Sequence, residues 1–265
     1  MSNLRVLFLG DVVGEPGRKA LSKHLKEIKA REEIDFVYAN GENAAGGRGI
    51  TPKIAIEMLR AGVAVITLGD HVWDQAEIIP HFETEPRLLR PINFPPGTPG
   101  RGSVVLDCGD TRVAVLNVQG RTFMHSFAEN PFLAAQQETK RLREEENATV
   151  ILVDFHAEAT SEKIAMGWHL DGIASLVAGT HTHVATADER ILPNGTAFIC
   201  DVGMCGPVDS VLGRRWQPIV QRFLTGMPAR FPVASGPVAL NGVLADIDSL
   251  TGRATAIRRF RHEIP

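Results

Sequence analysis

Five short apolar runs, each leading into residues that can bind a ligand, constrain this chain more than any other feature. They are Leu7-Phe8-Leu9-Gly10-Asp11; Phe36-Val37-Tyr38-Ala39 followed by Asn40-Gly41-Glu42-Asn43; Val65-Ile66-Thr67-Leu68-Gly69-Asp70-His71; Ile151-Leu152-Val153-Asp154-Phe155-His156; and Leu176-Val177-Ala178-Gly179-Thr180-His181-Thr182-His183. Apolar runs of this length that do not alternate with polar residues read as strands covered on both faces, the habit of parallel sheets. A carboxylate or imidazole placed where such a strand ends, on a loop loose enough to fold around something, can bind a ligand. The glycine-rich Ala44-Ala45-Gly46-Gly47 after Glu42 supplies such a loop.

Between the runs the periodicity changes to helical. Residues 17–33 carry Ala20, Leu21, Leu25 and Ile28 among charges, and Thr51-Pro52 supplies an N-cap and a first-turn proline for a helix to Ala61. Strands are expected at Leu4–Leu9, Phe36–Asn40 and Val63–Leu68, so the first third reads β-α-β-α-β, with parallel strands, right-handed crossovers and ligands beyond the carboxyl ends. Proline-rich Pro86–Gly102 is an irregular connection. Beyond it, Gly102–Asp107 and Arg112–Asn117 form a hairpin, residues 131–147 a charged amphipathic helix, and Thr149–Phe155 another buried strand. Leu176–Gly179 and Ala197–Asp201 are short strands, and Val238–Asp248 with Arg253–Arg261 make a closing hairpin. A parallel half and a half richer in hairpins predict an α/β fold of two packed sheets with helices outside.

Composition narrows the partners. A net charge of -3 gives no basic field for a nucleic-acid backbone, which argues against duplex nucleic acid. No stretch reaches the ~18 apolar residues of a membrane span, and the start lacks the pattern of a signal peptide, so a cytoplasmic location without membrane attachment is expected. Cys108, Cys200 and Cys205 follow no CxxC spacing and are expected to be reduced thiols.

Read singly, the candidate residues have ordinary explanations. Asp11 can cap a turn, and His-x-His is a weak match in a chain with nine histidines. Gly10 to Gly17 gives G-x-x-x-G-x-x-G after a strand, but Val12 stands where a dinucleotide fingerprint needs its second glycine, and Asp11 would oppose a pyrophosphate. The combination points elsewhere. Carboxylates at Asp11, Glu42 and Asp70 and imidazoles at His71, His156, His181 and His183 all lie at strand ends of one sheet system, and two metals about 3.5–4 Å apart need such a mixture of hard oxygen donors and imidazoles. On an extended segment His181 and His183 would project to one side. His71, adjacent to Asp70, is better placed as a proton donor held by Asp74, with Trp73 as packing. His24, His81, His125, His169 and His262 are read as surface or packing histidines, and Asp201–Gly213 as a glycine-rich loop that covers the site or forms a plain surface turn.

Across essentially its whole length the sequence resembles the calcineurin-like metallophosphoesterase superfamily, and within it the bacterial YmdB-type phosphodiesterases. Gly10-Asp11-Val12-Val13-Gly14 is similar to the opening motif, with Val13 in place of the D-x-H histidine. Asn40-Gly41-Glu42-Asn43-Ala44-Ala45-Gly46-Gly47 is similar to the second motif, with glutamate in place of the bridging aspartate. Asp70-His71-Val72-Trp73-Asp74, Val153-Asp154-Phe155-His156, Gly179-Thr180-His181-Thr182-His183 and Asp201-Val202-Gly203-Met204-Cys205-Gly206 follow the later ones. The resemblance implies a single domain over residues 1–265 with two mixed sheets flanked by helices, α/β/β/α. It implies one metal on Asp11, Glu42, Asn43 and His183, a second on Glu42, Asp70, His156 and His181, iron or manganese as the ions, and His71 as the proton donor. Asp70 stands where the family usually has asparagine, which adds a negative charge.

The implied activity is hydrolysis of cyclic nucleotides, 2′,3′-cyclic and also 3′,5′-cyclic, by a hydroxide that bridges the metals. For an enzyme of this size a homo-oligomer is expected, although no stripe in the sequence marks its interface. Two rivals use the same residues: a phosphomonoesterase or phosphoprotein phosphatase, and a metal-binding regulatory protein with little turnover. An unligated His71 beside the ligands favours catalysis over the regulator.

Overall fold

Alternation along the strands decides the layering. The structure, a computed structural model, describes residues 3–124 and 127–265, so His125 lies outside the described residues. In chain order the elements are β1 (Asn3–Leu9), β2 (Asp11–Val12), α1 (Gly14–Arg31), β3 (Phe36–Asn40), α2 (Pro52–Arg60), β4 (Val65–Thr67), a 3-10 helix (Ala76–Glu83), β5 (Leu88–Leu89), β6 (Ser103–Cys108) and β7 (Thr111–Gln119). They continue with α3 (Pro131–Glu144), β8 (Val150–His156), α4 (Thr160–His169), β9 (Leu176–Thr180), β10 (Arg190–Ile191), β11 (Ala197–Ile199), β12 (Met204–Pro207), α5 (Trp216–Thr225), β13 (Val238–Asp248) and β14 (Ala254–Ile264).

Leu4, Val6 and Phe8 of β1 face a core shared with Tyr38, Val113, Val115, Val150, Leu152 and Leu176, which lies between two sheets. The intervening Leu7 and Leu9 join Val37 and Ala39 against Leu21, Leu25 and Ile28 of α1 and Met58 of α2. On the far side Ala114, Leu116, Ile151 and Val153 meet Ala135 and Leu142 of α3 and Met166 of α4. β1, β3, β8 and β9 are therefore covered on both faces, as their unbroken apolar runs require. The layers are helix, sheet, sheet, helix. Within the middle layer Phe8 and Tyr38 stack with ring centroids 4.0 Å apart. At the start of α2 the Thr51 hydroxyl accepts the Ile54 N–H at 3.3 Å, the cap expected from the sequence.

Both sheets are mixed, as expected. The first is eight-stranded, ordered β2-β12-β13-β1-β3-β4-β5 with β14 on β13, and the second is six-stranded, ordered β10-β11-β9-β8-β7-β6. The closing hairpin returns to the first sheet, where β13 pairs antiparallel with β1. The expected hairpin of β6 and β7 edges the second sheet.

Besides the 3-10 helix and the two-residue strands β2, β5 and β10, the elements α4, α5 and β12 escape the sequence patterns, and for physical reasons. The buried positions of α4 include Lys163 and Gly167, which break its apolar stripe, and α5 buries only Ile219 while Trp216, Phe223 and Leu224 stay exposed. β12 is buried in the first sheet although Asp201–Gly213 reads as a surface loop, because its glycine and proline mask a strand.

The segment Cys200–Gly203 passes between the sheets against the strand ends. A Cβ on Gly179 would fall 1.8 Å from the Cys200 carbonyl oxygen, and one on Gly10 1.8 Å from that of Gly203. Neither position leaves room for a side chain unless the crossover backbone moves. Gly179→Ala is expected to cost about 3 kcal/mol in urea unfolding; a loss below about 1 kcal/mol would show that the crossover is free to shift.

Candidate metal centre

The same period of two that fills the middle layer also equips its upper end. After Val150 and Leu152, β8 places Asp154 and His156 on the inter-sheet face; β3 adds Asn40, β4 Thr67 and β9 Thr180. Register sets His156 beside Thr180. Asp154, fully buried, accepts from Asn40 Nδ2 at 3.0 Å, from Thr180 Oγ1 at 2.6 Å and from the Thr67 hydroxyl, so one carboxylate ties both sheets. Burial pushes its carboxyl up to about 6 against the charge of His156 and those donors.

Above this polar floor four donors converge. Atoms of Glu42, Asp70, His156 and His181 all lie within 4.8 Å of one another. His156 Nε2 is 3.1 Å from Glu42 Oε1, 3.1 Å from Asp70 Oδ1 and 3.0 Å from His181 Nδ1, and His181 Nδ1 is 3.4 Å from Asp70 Oδ1. Bonds of about 2.1 Å to one ion would set donor–donor edges of roughly 3.0 Å in an octahedron and 3.4 Å in a tetrahedron. The four observed separations, 3.0 to 3.4 Å, fall in the range of coordination-shell edges.

The outer hydrogen bonds choose the nitrogens. Thr180 Oγ1 gives its proton to Asp154, so it accepts from His156 Nδ1 at 2.9 Å and leaves Nε2 with its lone pair toward the cluster. Glu158 Oε2 lies 3.2 Å from His181 Nε2, on the side of the ring away from the cluster, while Nδ1 faces His156 and Asp70. The Leu212 carbonyl accepts from His183 Nδ1 at 3.2 Å and frees His183 Nε2. Each imidazole thus has a polar partner on its far side and its other nitrogen turned toward the donors, the arrangement that orients metal-binding imidazoles.

Asp11, Asn43 and His183 form an adjoining set that shares Glu42. The Asn43 amide nitrogen lies 3.1 Å from Glu42 Oε1, 3.3 Å from His183 Nε2 and 3.5 Å from Asp11 Oδ1, while His183 Nε2 is 3.7 Å from Asp11 Oδ1. Here Asn43 donates; a half-turn of its amide would offer an oxygen of the same size to a cation. Asp11 and Glu42 are at most 1% exposed. Burial raises the Asp11 carboxyl above the usual range, whereas at Glu42 the charge and hydrogen bond of His156 outweigh burial and lower it. Burial would likewise keep His156 neutral, yet Glu42 and Asp70 push its pKa well up. Two carboxylates in contact with one buried imidazole, with Asp11 close behind Asn43, leave room for further positive charge, which fits a metal.

The expectation that His181 and His183 project together from an extended segment does not hold. They follow the end of β9 with left-handed φ of 93° and 64°, and they enter different sets. His71 stands apart from the donors: its N–H donates to Glu42 Oε2 at 3.1 Å, and its Nδ1 is 3.1 Å from Asp74 Oδ2, itself 2.9 Å from Arg48 Nε. Trp73 packs on Phe82 and Phe94. His24 pairs with His262, His81 with Thr84, and His169 with the Phe132 carbonyl, none of them in the site. Thr180, Glu158 and Leu212 were not singled out from the sequence; only their position behind an imidazole reveals them.

Residues 7–260 match the family described as YmdB-like protein. A Bacillus subtilis (strain 168) protein named 2′,3′-cyclic-nucleotide 2′-phosphodiesterase is 48% identical over 257 residues, which span 97% of this chain and 96% of that one. Among solved structures, a hypothetical protein from Thermus thermophilus aligns with a TM-score of 0.91 at 42% identity, covering 99% of this chain and 100% of the other. A novel phosphatase from Mycoplasma pneumoniae aligns with a TM-score of 0.92 at 33% identity, covering 99% and 94%. The helix–sheet–sheet–helix architecture is the metallophosphoesterase fold that the sequence resembles, and the chain belongs to the YmdB-like family.

Proposed function

We propose that the chain is a metal-dependent phosphodiesterase that hydrolyses 2′,3′-cyclic nucleotides, in one catalytic domain over residues 1–265. The observation that carries the reading is the coordination-shell spacing of Glu42, Asp70, His156 and His181, with His71 at the same strand end but turned to Asp74. The Bacillus relative, matched over nearly its whole length, supports the substrate. One metal is assigned to Asp11, Glu42, Asn43 and His183, the other to Glu42, Asp70, His156 and His181, with iron or manganese as the ions. When bound, such ions neutralise phosphate oxygens and bring the pKa of water toward neutrality.

The chain's own residues do the rest. Glu42 belongs to both sets and fixes their spacing, and its Oε2 also holds the His71 backbone. With Nδ1 engaged by Asp74, His71 presents Nε2 as the acid that gives a proton to the departing ribose oxygen. Water supplies the hydroxyl added to phosphorus, and cleavage at O2′ leaves a nucleoside 3′-phosphate. Three free thiols, Cys108, Cys200 and Cys205, support a reducing compartment such as the cytoplasm.

The test is elemental analysis of protein purified without chelator, together with assays on 2′,3′-cyclic AMP, 3′,5′-cyclic AMP and a phosphomonoester. The expected result is two equivalents of iron or manganese and turnover fastest on the 2′,3′-cyclic ester, with 3′-AMP as product. Preference for the monoester would favour the phosphatase rival, and metal without turnover on any of them the regulatory one.

A further inference from the structure

The least expected ion pair in the molecule lies behind the histidine segment. Lys163, on α4, is 2% exposed, and its Nζ is 2.7 Å from Asp201 Oδ2 on a side chain exposed by 1%. A buried lysine is costly unless it is paired, and one on the apolar face of a helix needs a reason. The partner's remaining contacts supply it. Asp201 Oδ2 also accepts the Thr182 N–H at 3.2 Å and the Thr182 hydroxyl at 2.6 Å, while Oδ1 accepts the Gly203 N–H at 2.8 Å. Asp201 is held in turn by Thr186, whose N–H donates to its carbonyl at 3.0 Å and whose hydroxyl accepts its N–H at 2.9 Å.

Thr182 is the residue between His181 and His183, and both neighbours sit at positive φ, a region that few residues other than glycine adopt. No regular hydrogen-bond ladder holds them there, because β9 ends at Thr180. Asp201 therefore grips the centre of a strained segment whose two ends point into different donor sets. The same crossover reaches the other side of the site: the Asp11 N–H donates to the Gly203 carbonyl at 3.2 Å, and Met204 pairs with Asp11 between β12 and β2. Lys163 neutralises the gripping carboxylate.

We infer that Lys163 and Asp201 are positioning residues that hold Thr182 so that His181 and His183 are set for their two metals before any metal arrives. The inference rests on the two-metal reading given above. Neither residue belongs to the donor sets, so their effect passes through the histidines.

Three variants test it. Thr182→Val removes only the hydroxyl, Asp201→Asn removes the accepting charge, and Lys163→Met removes the neutralising one. Each metal-free protein is followed by hydrogen exchange over residues 181–186 and by thermal unfolding, then titrated with Mn2+ under electron paramagnetic resonance. The expected result is faster exchange over 181–186 with protection elsewhere unchanged, a dissociation constant raised about ten- to a hundredfold, and, at two equivalents, signals of separate ions where the wild type shows a coupled pair. Should Lys163→Met or Asp201→Asn fail to fold, Thr182→Val decides alone, because it leaves the ion pair in place. Wild-type Mn2+ affinity and coupling in Thr182→Val and Asp201→Asn would overturn the inference. So would exchange that rises equally throughout the molecule, the mark of a merely structural pair. A wild type that binds no Mn2+ sinks the two-metal reading and this inference about its histidines, yet the exchange data would still show whether Asp201 orders the segment.

Discussion

Glu42→Gln is expected to abolish the metal centre while leaving the fold in place. The substitution keeps the shape of a side chain that is 1% exposed, and it keeps an oxygen for the His71 N–H at 3.1 Å. It removes the one carboxylate whose Oε1 lies within 3.1 Å of both Asn43 and His156, members of the two different sets. A neutral amide cannot serve two cations at once, so both affinities fall together. The expected readings are less than one equivalent of metal and a loss of about a thousandfold or more in kcat/KM, which corresponds to about 4 kcal/mol of lost transition-state stabilisation. Misfolding is distinguished by thermal unfolding. The metal-free proteins should differ by no more than about 2 kcal/mol, the order of the hydrogen bonds altered. Added Mn2+ at a hundred times its dissociation constant should stabilise the wild type alone, by about 2.7 kcal/mol. Two equivalents of metal retained with activity within tenfold of wild type would remove Glu42 from the shared position.

The site was legible in the sequence wherever a side chain's role follows from where its strand ends. Asp11, Glu42, Asp70 and His156 could be placed because parallel strands covered on both faces leave polar residues only at their ends, and the structure brings these ends to one rim. What escaped was set by contacts between segments far apart in the chain. His181 and His183 look alike in an i, i+2 pair, but their left-handed φ values sort them into different sets, and that conformation comes from Asp201, 18 to 20 residues later. Lys163 carried the wrong signal, since a lysine on a helix is read as solvent-facing until its partner is seen. Fold topology shows the same divide. Local periodicity located β1, β3, β8 and the closing hairpin, but whether that hairpin extends the second sheet or returns to β1 depends on strand pairings that no short window contains.

His71→Ala should give the opposite signature to the glutamate variant, with metal retained and chemistry lost. Its ring stands off the donor cluster, with Nδ1 3.9 Å from Asp70 Oδ2 and 3.1 Å from Asp74 Oδ2, so its removal uncovers no donor. Metal content should stay at the wild-type value. On 2′,3′-cyclic AMP, kcat should fall about 10²- to 10⁴-fold, the usual contribution of a positioned acid, with KM little changed. The stronger test changes the leaving group. A ribose oxygen leaves poorly as an alkoxide and needs a proton in the transition state, whereas nitrophenolate departs without one. On bis(p-nitrophenyl) phosphate the same variant should therefore lose less than about tenfold. Asp74→Asn, which keeps a group beside Nδ1 but removes its charge, should fall between, because the imidazole remains while the contact that orients it is weakened. Equal losses on both esters would mean that His71 binds substrate or orders the site instead of donating a proton, since only a proton donor makes the cost of its removal depend on how badly the leaving group needs one.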